Sequence, residues 1–136
     1  MNFKKWIENR EDKKVSYSAI VLNQQSHEKL LEELKEYIPE NWKTFAHHMT
    51  INLGKLNQPE DSLINQEAIL IASEIGISNM AIAVKVNGFK SNNKIPHVTV
   101  AVNTLAGGKP AMSNDITDWH PIQNIKLTGT VSEITK

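Results

Sequence analysis

The chain of 136 residues contains no cysteine, no long apolar run and no excess of charge of either sign. The absence of cysteine excludes disulfide bonds and thiolate metal sites. A transmembrane helix needs about 18 or more consecutive apolar residues, and the sequence has no such run. Lysine and arginine together number 15, as do aspartate and glutamate, so the chain lacks the basic excess of proteins that coat long nucleic acids. A small anionic ligand held by a few local donors remains compatible with this balance.

The length and composition predict a single folded domain that spans residues 1–136. A chain of this size buries roughly two-thirds of its surface on folding, and a hydrophobic content of 40% supplies a core. The first residues, MNFKKWIENREDKK, lack the apolar segment of a signal peptide. The cytoplasm, or a host cytoplasm, is therefore the expected compartment. Residues 1–14 are highly charged, and we expect them to form a short helix or a frayed arm.

Short segments rich in β-branched and aromatic residues, separated by turn residues, predict six strands. The segment 67–77, EAILIASEIGI, is compatible with a helix as well, but its β-rich run AILIA and its glycine favour a strand. The predicted strands cover residues 15–22, 43–53, 67–77, 79–86, 95–103 and 124–135. A long loop, punctuated by glycine and proline, is predicted over residues 106–121.

One helix is predicted between the first two strands. Ser26 is its expected N-cap, Leu30 and Leu34 recur at helical spacing, and Pro39 ends it. Strands outnumber helices, and no strand–helix–strand alternation runs through the chain. The predicted fold class is therefore α+β, with antiparallel-rich, curved sheets.

One phrase occurs twice, each time in a predicted strand. HMTI at 48–51 is matched by HVTV at 97–100, so both copies read His-x-Thr followed by an aliphatic residue. Side chains alternate between the faces of a strand, so positions i and i+2 point the same way. In each copy the histidine and the threonine therefore share one face, and the apolar residues share the other. In the first copy Asn52 extends the polar face.

Two imidazoles and two hydroxyls that converge on one cleft suit displacement at a phosphodiester. Such a reaction needs a base for the nucleophile and an acid for the leaving oxygen, and histidine can serve as either near neutral pH. His48 and His97 are the candidate acid and base, in an order that the sequence leaves open. Thr50 and Thr99 are the candidate donors to the phosphoryl oxygens. Taken alone, the threonines would be explained by strand propensity.

These motifs resemble the 2H phosphoesterase superfamily, which is named for its paired His-x-Thr/Ser motifs. The wider phrases FAHHMTINLG at 45–54, PHVTVAVN at 96–103 and GGKPAMSN at 107–114 look most like one branch of it. That branch contains the cyclic phosphodiesterase domains of tRNA ligases and their small bacterial and phage relatives. The resemblance runs from about residue 15 to the C-terminus. The chain departs from larger relatives in being short, and its second lobe lacks a long predicted helix.

The resemblance implies a bilobal α+β fold around a central cleft, with no metal and no cofactor. It implies a 2′,3′-cyclic phosphate on an RNA end or a nucleotide as the substrate. Some phage relatives instead hydrolyse the cyclic oligonucleotides of bacterial defence signalling, so this second substrate class stays open. A nucleotide-binding module without catalysis and a small interaction protein are rival interpretations. No membrane partner and no long-DNA partner are expected, and the oligomeric state is left open.

Other side chains near the motifs are candidates for substrate binding. Lys109 lies in the phrase GGKP, where glycines let backbone amides approach an anion and the lysine adds charge; an ordinary hairpin loop is the alternative. Phe45 and Trp119 flank the motif strands, and one of them can stack on a base, although core or rim packing is the better explanation for each taken individually. Asn52 completes the predicted binding set.

The remaining histidines receive structural interpretations. Strand alternation places His47 on the face opposite His48, so we expect it to have a packing role. His27, at the start of the helix, and His120, before a proline, are expected at the surface. No second ligand stands at metal-binding spacing in a shared element, so no metal site is predicted.

Overall fold

Six antiparallel strands close into a ring in the computed structural model, which describes residues 15–56 and 60–135. The order around the ring is β1–β3–β6–β5–β4–β7, and β7 pairs again with β1. The very short β2 also pairs with β6. The strands are β1 Val15–Leu22, β2 Lys43–Thr44, β3 His48–Leu53, β4 Glu67–Ile77, β5 Ala81–Asn87, β6 His97–Val102 and β7 Trp119–Thr135.

The predicted α+β class is confirmed, and the one α-helix of the described residues is α1, Gln24–Leu34. That helix is too short to cross a bilayer, and no other helix of the described chain qualifies. The expected helix or arm at residues 1–14 lies outside the described residues.

The core lies where the apolar faces of the strands and of α1 meet. Burial alternates along β3 and along the second part of β7, whereas β5 and β6 are buried at almost every position. Burying one such aliphatic side chain stabilises the fold by roughly 1.5–3 kcal/mol. Fully buried members of the core are Ile20, Leu30, Met49, Leu70, Val84, Val98, Val100 and Leu127.

The start of α1 differs from the prediction. Asn23, not Ser26, is the N-cap, because its side-chain oxygen accepts a hydrogen bond from the Ser26 amide at 2.8 Å. The buried Ser26 hydroxyl instead accepts from the Thr128 amide of β7 at 2.8 Å, which ties the helix to the sheet. The helix ends at Leu34, and a 3₁₀ turn carries the chain towards Pro39.

The last strand is longer than the sequence predicts. It begins at Trp119 rather than at residue 124, so the end of the predicted loop belongs to the sheet. Its residues up to Thr130 pair with β4 and its residues from Gly129 onwards pair with β1, so that only Gly129 and Thr130 pair with both. Pro121, read as a loop residue, is tolerated because it lies beside an irregularity in the β4 pairing. Gly129 is required where β7 meets β1, because a Cβ there would come within 2.6 Å of the Val21 carbonyl oxygen.

Candidate active site

The central feature of the sheet surface is an open cavity of about 750 Å³. All four side chains of the repeated motif line it: His48 and Thr50 from β3, and His97 and Thr99 from β6. Met49 of β3 pairs with Val98 of β6, and both side chains point into the core with no exposed surface. Because the two motif strands are neighbours, the residues that flank this pair emerge together on the opposite face.

The predicted strand 43–53 is interrupted by a bulge at the two histidines. Ala46 still pairs with β6, since its amide donates to the Thr99 carbonyl at 2.9 Å, and the next pairing is Met49 with Val98. From Ala46 to Met49 the chain advances three residues, whereas its partner β6 moves by only one residue, from Thr99 to Val98. His47 and His48 are therefore two extra residues in the pairing. Ala46 adopts a left-handed conformation with φ of 50°. We call residues 46–48 the histidine bulge.

This bulge overturns the prediction that His47 and His48 point to opposite faces. His47 lines the same cavity, and its Nδ1 lies 2.9 Å from Nδ1 of His48. The two rings meet edge to face, with centroids 5.1 Å apart. Strand alternation holds only where pairing is regular, and an extra residue rotates the following side chains. The two adjacent histidines in the sequence were the signal of this contact, and the prediction separated them because it assumed regular strand alternation.

The histidine bulge is held from two sides. The Leu22 amide at the end of β1 donates to the His47 carbonyl at 2.8 Å. Nδ1 of His27, on α1, donates to the carbonyl of the fully buried Ala46 at 2.9 Å. His27, expected at the surface, is half-buried and helps to hold the bulge.

His97 is the more buried of the two motif histidines, with 7% of its surface exposed. Its Nδ1 donates to the Ile95 carbonyl at 2.7 Å. A carbonyl oxygen cannot donate, so Nδ1 carries hydrogen and Nε2 is the atom left for chemistry.

His48 is a neutral imidazole at physiological pH. Burial lowers its pKa to about 4, with smaller contributions from His47 and His97. The Tyr17 ring of β1 lies against it, with centroids 5.1 Å apart. A neutral ring at this position is able to accept a proton.

The Thr99 hydroxyl is oriented by a residue outside the motif. Its Oγ1 lies 2.8 Å from Oγ of the buried Ser113, in the 3₁₀ turn Pro110–Asp115. Ser113 belongs to the phrase GGKPAMSN and to neither His-x-Thr motif. The same turn forms one wall of the cavity through Pro110, Ala111 and Asn114.

The structure brings some of the predicted binding residues to the cavity and leaves others away from it. Phe45 lines the main cavity. Lys109 and Asn52 are not among the described residues that line this cavity or a second cavity beside it. Lys109 is exposed just before the turn that forms the wall. Asn52 is used in the loop contacts beyond β3, where its side chain donates to the Lys55 carbonyl and accepts from Asn92.

Trp119 lines a second cavity, of about 530 Å³, that adjoins the first. His97, Asn93 and Asn114 line both cavities, so the two meet at the motif histidine of β6. Lys94 adds a cationic side chain to the second cavity. The Trp119 ring lies over Gly76, where a Cβ would come within 2.6 Å of it.

Within residues 15–56 and 60–135, no group of three or more histidine, aspartate or glutamate side chains could hold a metal ion. No protein-family model matches the chain, and no curated protein is significantly similar to it in sequence.

Proposed function

We propose that this protein is a metal-independent phosphodiesterase of the 2H type, which hydrolyses a 2′,3′-cyclic phosphate on an RNA end or a nucleotide. The observation that carries the proposal is the convergence of both His-x-Thr motifs, from adjacent strands, on one cavity. We also propose that this closed sheet corresponds to the bilobal fold of the 2H superfamily, with one motif in each lobe. Its site needs no metal, because two imidazoles supply the acid and the base.

In the proposed reaction His48 is the general base and His97 the general acid. His48 Nε2 takes a proton from water as the water oxygen bonds to phosphorus. The bond from phosphorus to one ribose oxygen breaks, and that oxygen receives the proton carried by His97 Nε2. The product is a phosphomonoester beside a free hydroxyl. Thr50 and Thr99 donate to the phosphoryl oxygens, where negative charge lies in the transition state.

Two observations favour this assignment of roles. The lowered pKa of His48 keeps its ring neutral and ready to accept a proton. The hydrogen bond from His97 Nδ1 to the Ile95 carbonyl persists when His97 is protonated, because that ring nitrogen donates in both states. His97 is therefore the better proton donor to the leaving oxygen.

The test is turnover of nucleoside 2′,3′-cyclic phosphates, followed by chromatography, for the wild type and for His48→Ala and His97→Ala. We expect each variant to lose turnover by about 10²-fold or more while it still binds the product nucleotide. His120→Ala is the matched control, because His120 is exposed and paired with Asp118 outside the cavity. Full turnover in either motif variant contradicts the mechanism. Binding by a wild type that turns over no phosphodiester supports the non-catalytic module.

The second cavity favours a second candidate substrate, a cyclic oligonucleotide. A phosphodiester bound at His97 has room for a nucleoside in each cavity, and an indole such as Trp119 is a platform on which a base can stack. Chromatography of cyclic dinucleotides and trinucleotides in parallel separates the candidates. Hydrolysis of these, without action on nucleoside 2′,3′-cyclic phosphates, favours the second.

A further inference from the structure

We propose that His47 is a positioning residue that passes protons between His48 and solvent during turnover. The inference rests on the proposed function, because it assigns a task to a neighbour of the proposed general base. The sequence suggested only packing for His47, and neither His-x-Thr motif includes it.

The first support is the contact between the two rings. Nδ1 of His47 and Nδ1 of His48 lie 2.9 Å apart, so one nitrogen must donate and the other accept. When His48 donates, its Nε2 is bare and serves as the base, and Nε2 of His47 carries hydrogen. The contact thus couples the tautomers of the two rings, and His48 presents Nε2 as a base when its Nδ1 donates to His47.

The second support is the difference in exposure between the two rings. His47 is exposed, whereas His48 is half-buried. His47 therefore joins the base to bulk water through a single hydrogen bond. The histidine bulge sets this arrangement, since a regular strand would turn His47 away from the cavity.

The third support comes from the other described groups around His48, none of which is a carboxylate that could take its proton. Tyr17 faces it from β1, His97 faces it from β6, and His47 faces it from the bulge. The wall formed by the 3₁₀ turn contributes neutral side chains, and no carboxylate is among the described residues that line the cavity. Burial disfavours a charge on His48, so a proton taken from water is not held there.

The relay balances as follows in the proposed reaction. As His48 Nε2 takes the proton of the attacking water, the proton on His48 Nδ1 moves to His47 Nδ1, and His47 Nε2 releases its proton to solvent. Both rings remain neutral. After product leaves, His47 Nε2 takes a proton from solvent, the shared proton returns to His48 Nδ1, and His48 Nε2 gives its proton to water in the open cavity.

The experiment compares the wild type with His47→Ala and His47→Asn on the best substrate of the panel described above. Asn places an acceptor near the position of Nδ1 but cannot carry a proton onward. We expect kcat to fall about tenfold or more in both variants with little change in KM. Free imidazole in the buffer should restore kcat of His47→Ala in a concentration-dependent way, which a packing defect would not allow. His120→Ala should show neither effect.

Nitrogen NMR of the imidazole rings tests the pair without substrate and without a variant. The expected result in the wild type is one proton shared between the two Nδ1 atoms. Absence of a shared proton, or full kcat in His47→Ala, overturns the relay while the proposed function stands. If the wild type turns over nothing in the panel, the proposed function fails and the relay with it, whatever the NMR result.

Discussion

His48 sits at the meeting point of three aromatic neighbours, one phenol and two imidazoles. Its half-buried position makes the charged form costly, because the ring loses water and faces two groups that can themselves become positive. The same environment that suits a neutral base therefore penalises the folded state in acid.

This penalty predicts a pH dependence of stability that belongs to one residue. The unfolded chain protonates His48 near its ordinary pKa of 6.5, whereas the folded protein does so only near 4. Between these values the unfolded state binds more protons, so the free energy of unfolding falls as the pH is lowered. The contribution of this group is at most about 3 kcal/mol.

Urea unfolding at about pH 7 and about pH 4.5 measures the effect. We expect His48→Asn to lose less stability than the wild type over this interval, since it removes the group that must be buried neutral. His120→Asn, at an exposed position, should keep the pH dependence of the wild type. If His48→Asn shows the same pH dependence as the wild type, the pKa of His48 in the folded protein is not lowered.

At the scale of elements, the histidine bulge is where α1, β1 and the two motif strands meet. The left-handed Ala46 and the two extra residues would be unfavourable in an isolated strand. Neighbouring elements compensate through the hydrogen bonds from the Leu22 amide and from the His27 ring. The helix thus contributes to the site although none of its residues lines the main cavity.

His27→Ala is expected to weaken both the fold and the site. It leaves the carbonyl of the fully buried Ala46 without the His27 donor, which costs about 1–3 kcal/mol of stability. We expect kcat for the 2′,3′-cyclic phosphate to fall as well, because the bulge positions His48. His27→Asn, whose amide can donate, should recover part of both losses. Gln25→Ala, on the exposed face of α1, is the control, and wild-type stability in His27→Ala would contradict this account.

At the scale of the whole molecule, a closed antiparallel sheet presents its catalytic candidates on an outward face, beside two adjoining cavities. The chain has no net charge. Under the proposed function, affinity for the nucleotide or RNA end therefore depends on a few local donors and not on a long-range basic surface.

Neutrality predicts a shallow salt dependence. Each phosphate neutralised on a single strand contributes about −0.7 to the slope of log affinity against log salt, and we expect a total slope smaller in magnitude than about 2. Lys94→Ala should reduce the magnitude of the slope by the contribution of about one neutralised phosphate, because Lys94 lines the second cavity. Lys126→Ala, exposed on β7, should leave it unchanged. Binding of a short oligonucleotide, measured by fluorescence anisotropy at several salt concentrations, checks this, and a steep slope would indicate tracking of extended RNA.

Several features were predictable because they depend on neighbours along the chain. The β-branched and aromatic residues of 15–22, and the β-rich run and glycine of 67–77, predicted two strands whose bounds the structure reproduces. The i and i+2 spacing placed each motif histidine beside its threonine, and the structure confirms that all four side chains line one cavity. Their catalytic roles stay predictions.

Other features depended on residues distant in sequence. Asn23 replaced Ser26 as the cap because the Ser26 hydroxyl is bonded to β7. The strand character of Trp119 and the residues after it comes from pairing with β4, which local turn signals concealed. Ser113 joined the site only because the 3₁₀ turn folds back over β6.

The sequence by itself determined the fold class, the two His-x-Thr motifs and the face that each presents, since strand alternation is a local property of the chain. The tertiary structure decided the position of His47, because the two-residue bulge exists only relative to the pairing of β3 with β6. It also lowered the pKa of His48, because burial depends on which elements pack around a ring. Strand alternation alone would place His47 and His48 on opposite faces, whereas in the folded protein their rings form a hydrogen-bonded pair.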